Sequence, residues 1–164
     1  GIRMITVVTK KIFPMKLAEA LQIRADMQRR LAQMPQRLEN NATVQEGTAP
    51  AENPESLLRE LDTLTGELER LMTRINLTNS RTAGEDGVTI TALMARDAEL
   101  AGRLLRRFLN AASSIAQRRQ STDIRILPTV DVPELRKRCD SLSKELRETD
   151  LAIQKLNWTT DLID

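Results

Sequence analysis

Residues 57–75 read LLRELDTLTGELERLMTRI, and the spacing of their large apolar residues decides the fold class. These residues recur at alternating intervals of four and three, at Leu57, Leu61, Leu64, Leu68, Leu71 and Ile75. A 4-3 repeat places all six side chains on one seam of an α-helix that packs lengthwise against other helices. The stretch predicts architecture and carries no information about chemistry.

The composition of the whole chain supports an all-α fold with an aliphatic core. The 164 residues are enough for one domain, and only 2% of them are aromatic. Sandwiches and barrels of strands normally contain more aromatic and β-branched residues than this. We predict an elongated four-helix bundle with coiled-coil-like seams, formed as a single domain by residues 15–164.

The charge balance depends on the first 14 residues, which contain Arg3, Lys10 and Lys11 and no acidic residue. The formal net charge is +2 for the whole chain, but residues 15–164 hold 22 basic and 23 acidic residues. A nucleic-acid partner is therefore not favoured, because such binding rests on a concentrated basic face. We interpret residues 1–14 as the remnant of a tag or a misassigned start before Met15. The alternative is a genuine extra strand.

The residue types exclude several kinds of site and compartment. The chain has no histidine, which excludes histidine catalysis and histidine metal ligation, and we predict no catalytic residue, cofactor or metal. Its single cysteine, Cys139, excludes an internal disulfide and fits a reducing, cytoplasmic location. No stretch approaches the roughly 20 apolar residues of a membrane-spanning helix, so no transmembrane segment is predicted.

Capping signals and turn residues divide the chain into helices and connections. The first helix should run from about Lys16 to Asn41, with a kink at Pro35. Asn53, Pro54 and Glu55 are typical of a helix start, so the second helix should extend from there to about Thr78. In the first helix a heptad register is kept by Leu17, Ala20, Met27, Leu31, Met34 and Leu38, with Arg24 at a seam position.

Two short β elements are predicted between the later helices. Asp86-Gly87 lies within residues 79–90, and Asp-Gly is a strong signal for a hairpin turn. We therefore predict a small β-hairpin at one end of the bundle. Ile124-Arg125-Ile126 predicts a short strand beside it.

The third helix, from about Thr91 to Gln120, has an unusually wide apolar arc. One stripe contains Leu93, Leu100 and Leu104, and a second, neighbouring stripe consists of Met94, Ala101, Leu105, Phe108 and Ile115. The helix is therefore either surrounded by the other three or buried against a second subunit, and the second stripe is a candidate self-association face. Its remaining surface carries arginines, for which we favour pairing with acids of the second helix over nucleic-acid or membrane binding.

The fourth helix starts with a capping box formed by Asp131 and Glu134 and carries a seam in unbroken 4-3 spacing. The seam residues are Leu135, Cys139, Leu142, Leu146, Thr149, Ile153 and Leu156. Cys139 is thus interpreted as a small packed side chain rather than a nucleophile. Trp158 is predicted to close one end of the core.

Several segments together resemble a small bacterial family whose members are often labelled "septicolysin". The resemblance rests on MKLAEAL at 15–21, RAD at 24–26, NATVQEG at 41–47, INLTN at 75–79 and NWTTDL at 157–162. It covers essentially all of residues 15–164 and implies the same architecture, but it implies no activity. A cytolysin is disfavoured because the chain lacks a membrane-spanning stretch and a recognisable secretion signal.

Function stays open between hypotheses of different classes. The favoured one is a non-enzymatic structural or interaction protein that forms a homo-oligomer and binds an unknown protein partner. The alternatives are a cytolysin, a membrane- or nucleic-acid-binding protein, or a small-ligand or enzymatic site near one end of the bundle. The polar residues that could form that site are Arg24, Asp26, Arg74, Asn76, Asn79, Arg96, Asp97 and Asn157.

Overall fold

Four α-helices make up the described part of the protein. The computed structural model describes residues 14–119 and 132–164, with side chains at 14–111 and 133–164. The helices are α1 (Leu17–Ala42), α2 (Pro54–Arg81), α3 (Ile90–Arg119) and α4 (Val132–Thr159). These residues contain no sheet, so the prediction of an all-α fold with four helices is confirmed.

The chain divides into two compact units. The first contains α1, α2 and Asn157–Asp164, and the second is Ala83–Leu156, which contains α3 and most of α4. The predicted single domain over residues 15–164 stays a prediction. Residues 1–13 of the predicted extension, and the strand predicted at 124–126, lie outside the described residues.

The 4-3 seam of α2 packs against α1 in the first unit. Leu57, Leu64 and Ile75 are at most 2% exposed, Leu68 and Leu71 are also buried, and Leu61 is half-buried. The predicted register residues of α1 are likewise all buried or half-buried. The helix continues through Pro35, and the predicted kink there stays a prediction. Removal of these aliphatic side chains from water is the main stabilising contribution to this helix pair.

Side chains of α1 hold the connection to α2 in place. Arg37 donates hydrogen bonds to both carboxylate oxygens of Glu52 and to both of Glu60, over 2.7–3.2 Å. Asn41 accepts a hydrogen bond from the backbone N–H of Glu52 at 2.9 Å. Asn53 caps α2 by accepting from the N–H of Glu55, as predicted. The connection is thus fixed by specific polar contacts at its α2 end.

Residues 160–163 bind to α2, to the first residue of α1 and to Met15 just before it. The Leu17 N–H donates to the Thr160 carbonyl at 2.9 Å, and the Leu162 N–H donates to the Met15 carbonyl at 2.8 Å. The Thr78 hydroxyl accepts from the N–H of Ile163 at 3.0 Å. Leu162 is 5% exposed, so this segment completes the core of the first unit.

The connection between α2 and α3 is a tight turn and not the predicted hairpin. One isolated bridge joins Ala83 to Thr89, and the Gly84 N–H donates to the Val88 carbonyl at 3.0 Å. Gly87 has a φ of +78°, the turn conformation that the Asp-Gly signal predicts. Only eight residues separate Arg81 of α2 from Ile90 of α3, because each helix extends into the predicted strands. Too little chain remains for a ladder.

Two predictions on α4 need correction or qualification. Trp158 is 56% exposed, so the prediction that it closes one end of the core is wrong. The predicted seam residues of α4 are all buried or half-buried, and Cys139 is among the half-buried ones. The helix begins where its capping sequence predicts, although Asp131 itself lies outside the described residues.

Candidate functional site

One side of α3 anchors the helix in the second unit. Ile90, Leu93 and Leu100 are at most 8% exposed, and Leu104 is half-buried on the same side. At the start of the helix, the Thr89 hydroxyl accepts a hydrogen bond from the Ala92 N–H at 3.1 Å. This is the first of the two stripes predicted for the third helix, and the structure confirms that it faces a core.

The second stripe is exposed, and we call its described residues, together with the neighbouring Ala98 and Leu109, the α3 apolar face. Leu105, Phe108 and Leu109 are 56–60% exposed, and Met94 is 48% exposed. Ala98 and Ala101 are also exposed on this side of the helix. At 3.6 residues per turn, the face lies about a quarter turn from the buried stripe. The side chain of Ile115, which was predicted to belong to the face, lies outside the described residues.

Two arginines of α3 bind acidic residues within the second unit. Arg96 binds Glu145 of α4 at 2.6 Å, and Arg103 binds Glu99 one turn earlier at 2.6 Å. The predicted partners were acids of the second helix, whereas Glu99 lies on α3 and Glu145 lies on α4. Exposed pairs of this kind contribute little stability, but they reduce the positive charge of the surface.

Asp97 and Asp150 place two carboxyl groups together between α3 and α4. The Asp97 pKa is raised by burial first, and then by a hydrogen bond and charge repulsion with Asp150. Asp97 Oδ1 is buried and has no hydrogen-bond partner among the described residues. A carboxyl pair of this kind holds a proton more readily than an isolated aspartate.

The eight predicted site residues lie in both units. Six belong to the first unit and two to the second, and no hydrogen bond or ion pair described within either unit joins two of them. Asn79 and Asn157 are buried, Arg24 is half-buried and Asn76 is exposed. Asp26 binds Arg29, and Arg74 donates to the Ile163 carbonyl. In the second unit, Arg96 binds Glu145 and Asp97 lies against Asp150. Their convergence on one site stays a prediction.

Two polar arrangements in the structure were not predicted from the sequence. The first is the contact of Arg37 with Glu52 and Glu60, and the second is the carboxyl pair of Asp97 and Asp150. Only the carboxyl pair had a partial signal, because Asp97 was already among the candidate residues. The partners of both arrangements are distant in the sequence, so no short motif could have revealed them.

Comparison with known proteins places this architecture in a family. The family of unknown function DUF6847 matches residues 24–162, which include the whole of α2, α3 and α4. The chain belongs to this family. Its description names no activity. Neither this match nor the structural one described next carries the label "septicolysin", which is not supported.

A solved structure shares the fold of this DUF6847 protein. It is the crystal structure of a functionally unknown conserved protein from Corynebacterium diphtheriae, with a TM-score of 0.84 and 37% sequence identity. The similarity covers 92% of this chain and 100% of that one. The comparison with curated proteins gives no match. No helix in the described parts of the chain is long and apolar enough to cross a membrane.

Proposed function

We propose that this protein is a non-enzymatic interaction protein of the cytoplasm that associates with copies of itself through the α3 apolar face. The observation that carries the proposal is the exposure of Leu105, Phe108 and Leu109 to 56–60% on adjacent turns of one helix. Contiguous apolar patches on a protein surface mark interaction sites, whereas single exposed apolar residues do not. The predicted four-helix bundle is part of this proposal and is supported by the seams of α1, α2 and α4.

The chemistry of the face favours binding over catalysis. The face consists of methionine, alanine, leucine and phenylalanine, none of which can transfer a proton or act as a nucleophile. Burial of one leucine or phenylalanine side chain contributes about 1.5–3 kcal/mol, so three half-exposed ones can drive association. The cytoplasmic location is supported by the half-buried, unpaired Cys139, which fits a reducing compartment.

The test is the solution mass of the full chain, measured by light scattering over a range of concentrations. We expect a dimer or larger assembly for the unchanged protein and a shift towards monomer for Leu105→Asp. The matched control is Leu151→Asp, since Leu151 is 69% exposed on α4. Circular dichroism checks that both variants keep their helices.

The outcomes separate the proposal from a general effect of added charge. An assembly lost in Leu105→Asp and retained in Leu151→Asp supports the α3 apolar face as the contact. A monomeric unchanged protein, or an assembly that Leu105→Asp leaves intact, contradicts the proposal.

A further inference from the structure

Between residues 98 and 108, C-terminal to Met94, the α3 apolar face has a gradient of side-chain size along the helix. Its N-terminal half presents Ala98 and Ala101, with Gly102 at its edge, whereas its C-terminal half presents Leu105 and Phe108. All five residues are exposed, and a methyl group added at Gly102 would meet no atom within 4 Å. The small half of the face is therefore an open hollow beside a raised, bulky half.

We propose that a second copy of the chain docks on this face with its α3 antiparallel, around a two-fold axis that passes beside residue 103. This inference rests on the proposed function and specifies its geometry. In this register, Leu105 of one copy lies over Ala101 of the second copy, and Phe108 lies over Ala98. Each bulky side chain then fills a position where the other helix has only a methyl group.

Size complementarity selects this arrangement over its alternatives. A parallel pairing places Leu105 against Leu105 and Phe108 against Phe108, and it leaves the alanines facing each other across a gap. An antiparallel pairing can also be shifted by one heptad. A shift towards the N-terminus of α3 places Ala98 against Ala101, and a shift towards the C-terminus places Leu105 against Phe108. Interfaces reach the packing density of protein interiors, so the arrangement that alternates large and small side chains is favoured.

The surface available matches what a modest dimer needs. The four large side chains and the small residues between them would bury on the order of 1,000 Å² in total, near the lower limit for a specific interface. A partner with an unrelated sequence would need a matching gradient of size. A second copy related by a two-fold axis presents the same gradient in the opposite direction, because both copies use the same patch.

Cysteine cross-linking of the full chain in a Cys139→Ser background tests the geometry. In the proposed register the two copies of position 102 lie about 3 Å apart along the helix axis, at 1.5 Å per residue. The two copies of position 98 lie about 15 Å apart. A short bis-maleimide should therefore link Gly102→Cys into a product of twice the 18.5 kDa chain mass, and should leave Ala98→Cys unlinked. Arg103→Cys, on the opposite side of α3, is the matched control and should stay unlinked.

A size exchange provides a second, independent test. Ala101→Leu should weaken dimerisation about tenfold, because it places leucine over Leu105 of the second copy. Adding Leu105→Ala to the same chain exchanges the two sizes and should restore most of the affinity. Circular dichroism and sizing measurements on each variant separate loss of assembly from loss of fold.

The outcomes distinguish this inference from the proposed function. Linking of Gly102→Cys alone, with rescue by the size exchange, supports the antiparallel pairing. Self-linking of Ala98→Cys indicates a parallel pairing and overturns the inference, while the association itself stands. A dimer by light scattering that links at neither position overturns it as well. A protein that is monomeric at all concentrations overturns both proposals.

Discussion

Replacing Leu64 by alanine should destabilise the protein far more than the same replacement at Leu58. Both leucines lie on α2, but Leu64 is 2% exposed on the seam and Leu58 is 50% exposed. Removal of a fully buried leucine costs the transfer free energy of its lost methyl groups and leaves a cavity, about 2.7–5 kcal/mol together. At Leu58 half of the side chain is already in water, so we expect about 1 kcal/mol or less.

The comparison isolates burial from helix propensity. Leucine and alanine differ in intrinsic helix propensity by the same small amount at both positions, and this contribution cancels between the two variants. In a chain of this size, 1 kcal/mol corresponds to about 2–4 °C in Tm, so a loss of about 3 kcal/mol at Leu64 lowers Tm by roughly 6–12 °C.

The assay is urea unfolding at pH 7, followed by far-ultraviolet circular dichroism, with thermal melts of the same samples. The free energy of unfolding is compared at a common m-value, since a change in m would indicate an altered unfolded or native state. Equal losses at the two positions, or a larger loss at Leu58, would refute the assignment of the 4-3 repeat to the buried seam.

Two further predictions concern charged groups and their pH dependence. Hydrogen bonds from Arg37 lower the pKa of both Glu52 and Glu60, so this contact stabilises the fold above their unfolded pKa and the stability is lost as the pH falls. Arg37→Ala should therefore lower Tm at pH 7, with a difference that shrinks towards about pH 3 in thermal melts; a difference independent of pH would contradict this. The Asp97 pKa is raised by burial and by Asp150, so Asp97 favours the fold below its unfolded pKa, and that stability is lost as the pH rises through its folded value. Asp97→Asn should consequently raise Tm at pH 7 and lose this advantage in acid, and a variant less stable at pH 7 would disprove the account.

Helix positions were predictable from the sequence because the signals that set them are local. The 4-3 repeat, the Asn53 cap and the proline that follows it fix α2 within a few residues, and the structure starts that helix at Pro54. Such signals depend only on residues within one or two turns. The same locality explains why Gly87 was assigned correctly to a turn.

The wrong predictions concern residues whose structure depends on contacts distant in the sequence, or on whether a helix or a strand forms at the same residues. The predicted hairpin failed because α2 and α3 extend into residues that would have been its strands, which no turn signal reveals. Trp158 was assigned to the core on residue type alone, although it is 56% exposed. The second stripe of α3 was identified as a candidate interface, but only its exposure in the structure could separate that reading from a fully internal helix.

The contact between residues 15–17 and 160–162 has a consequence for protein synthesis. Lys16 and Asp161 lie 145 positions apart, so the ribosome synthesises residues 15–17 long before residues 160–162. At roughly 5–20 residues per second, Leu17 waits about 7–30 s for the backbone groups that finally bind it. During that interval α1 and α2 can pair, but the side of the first unit that Leu162 later covers stays open to chaperones and to other nascent chains.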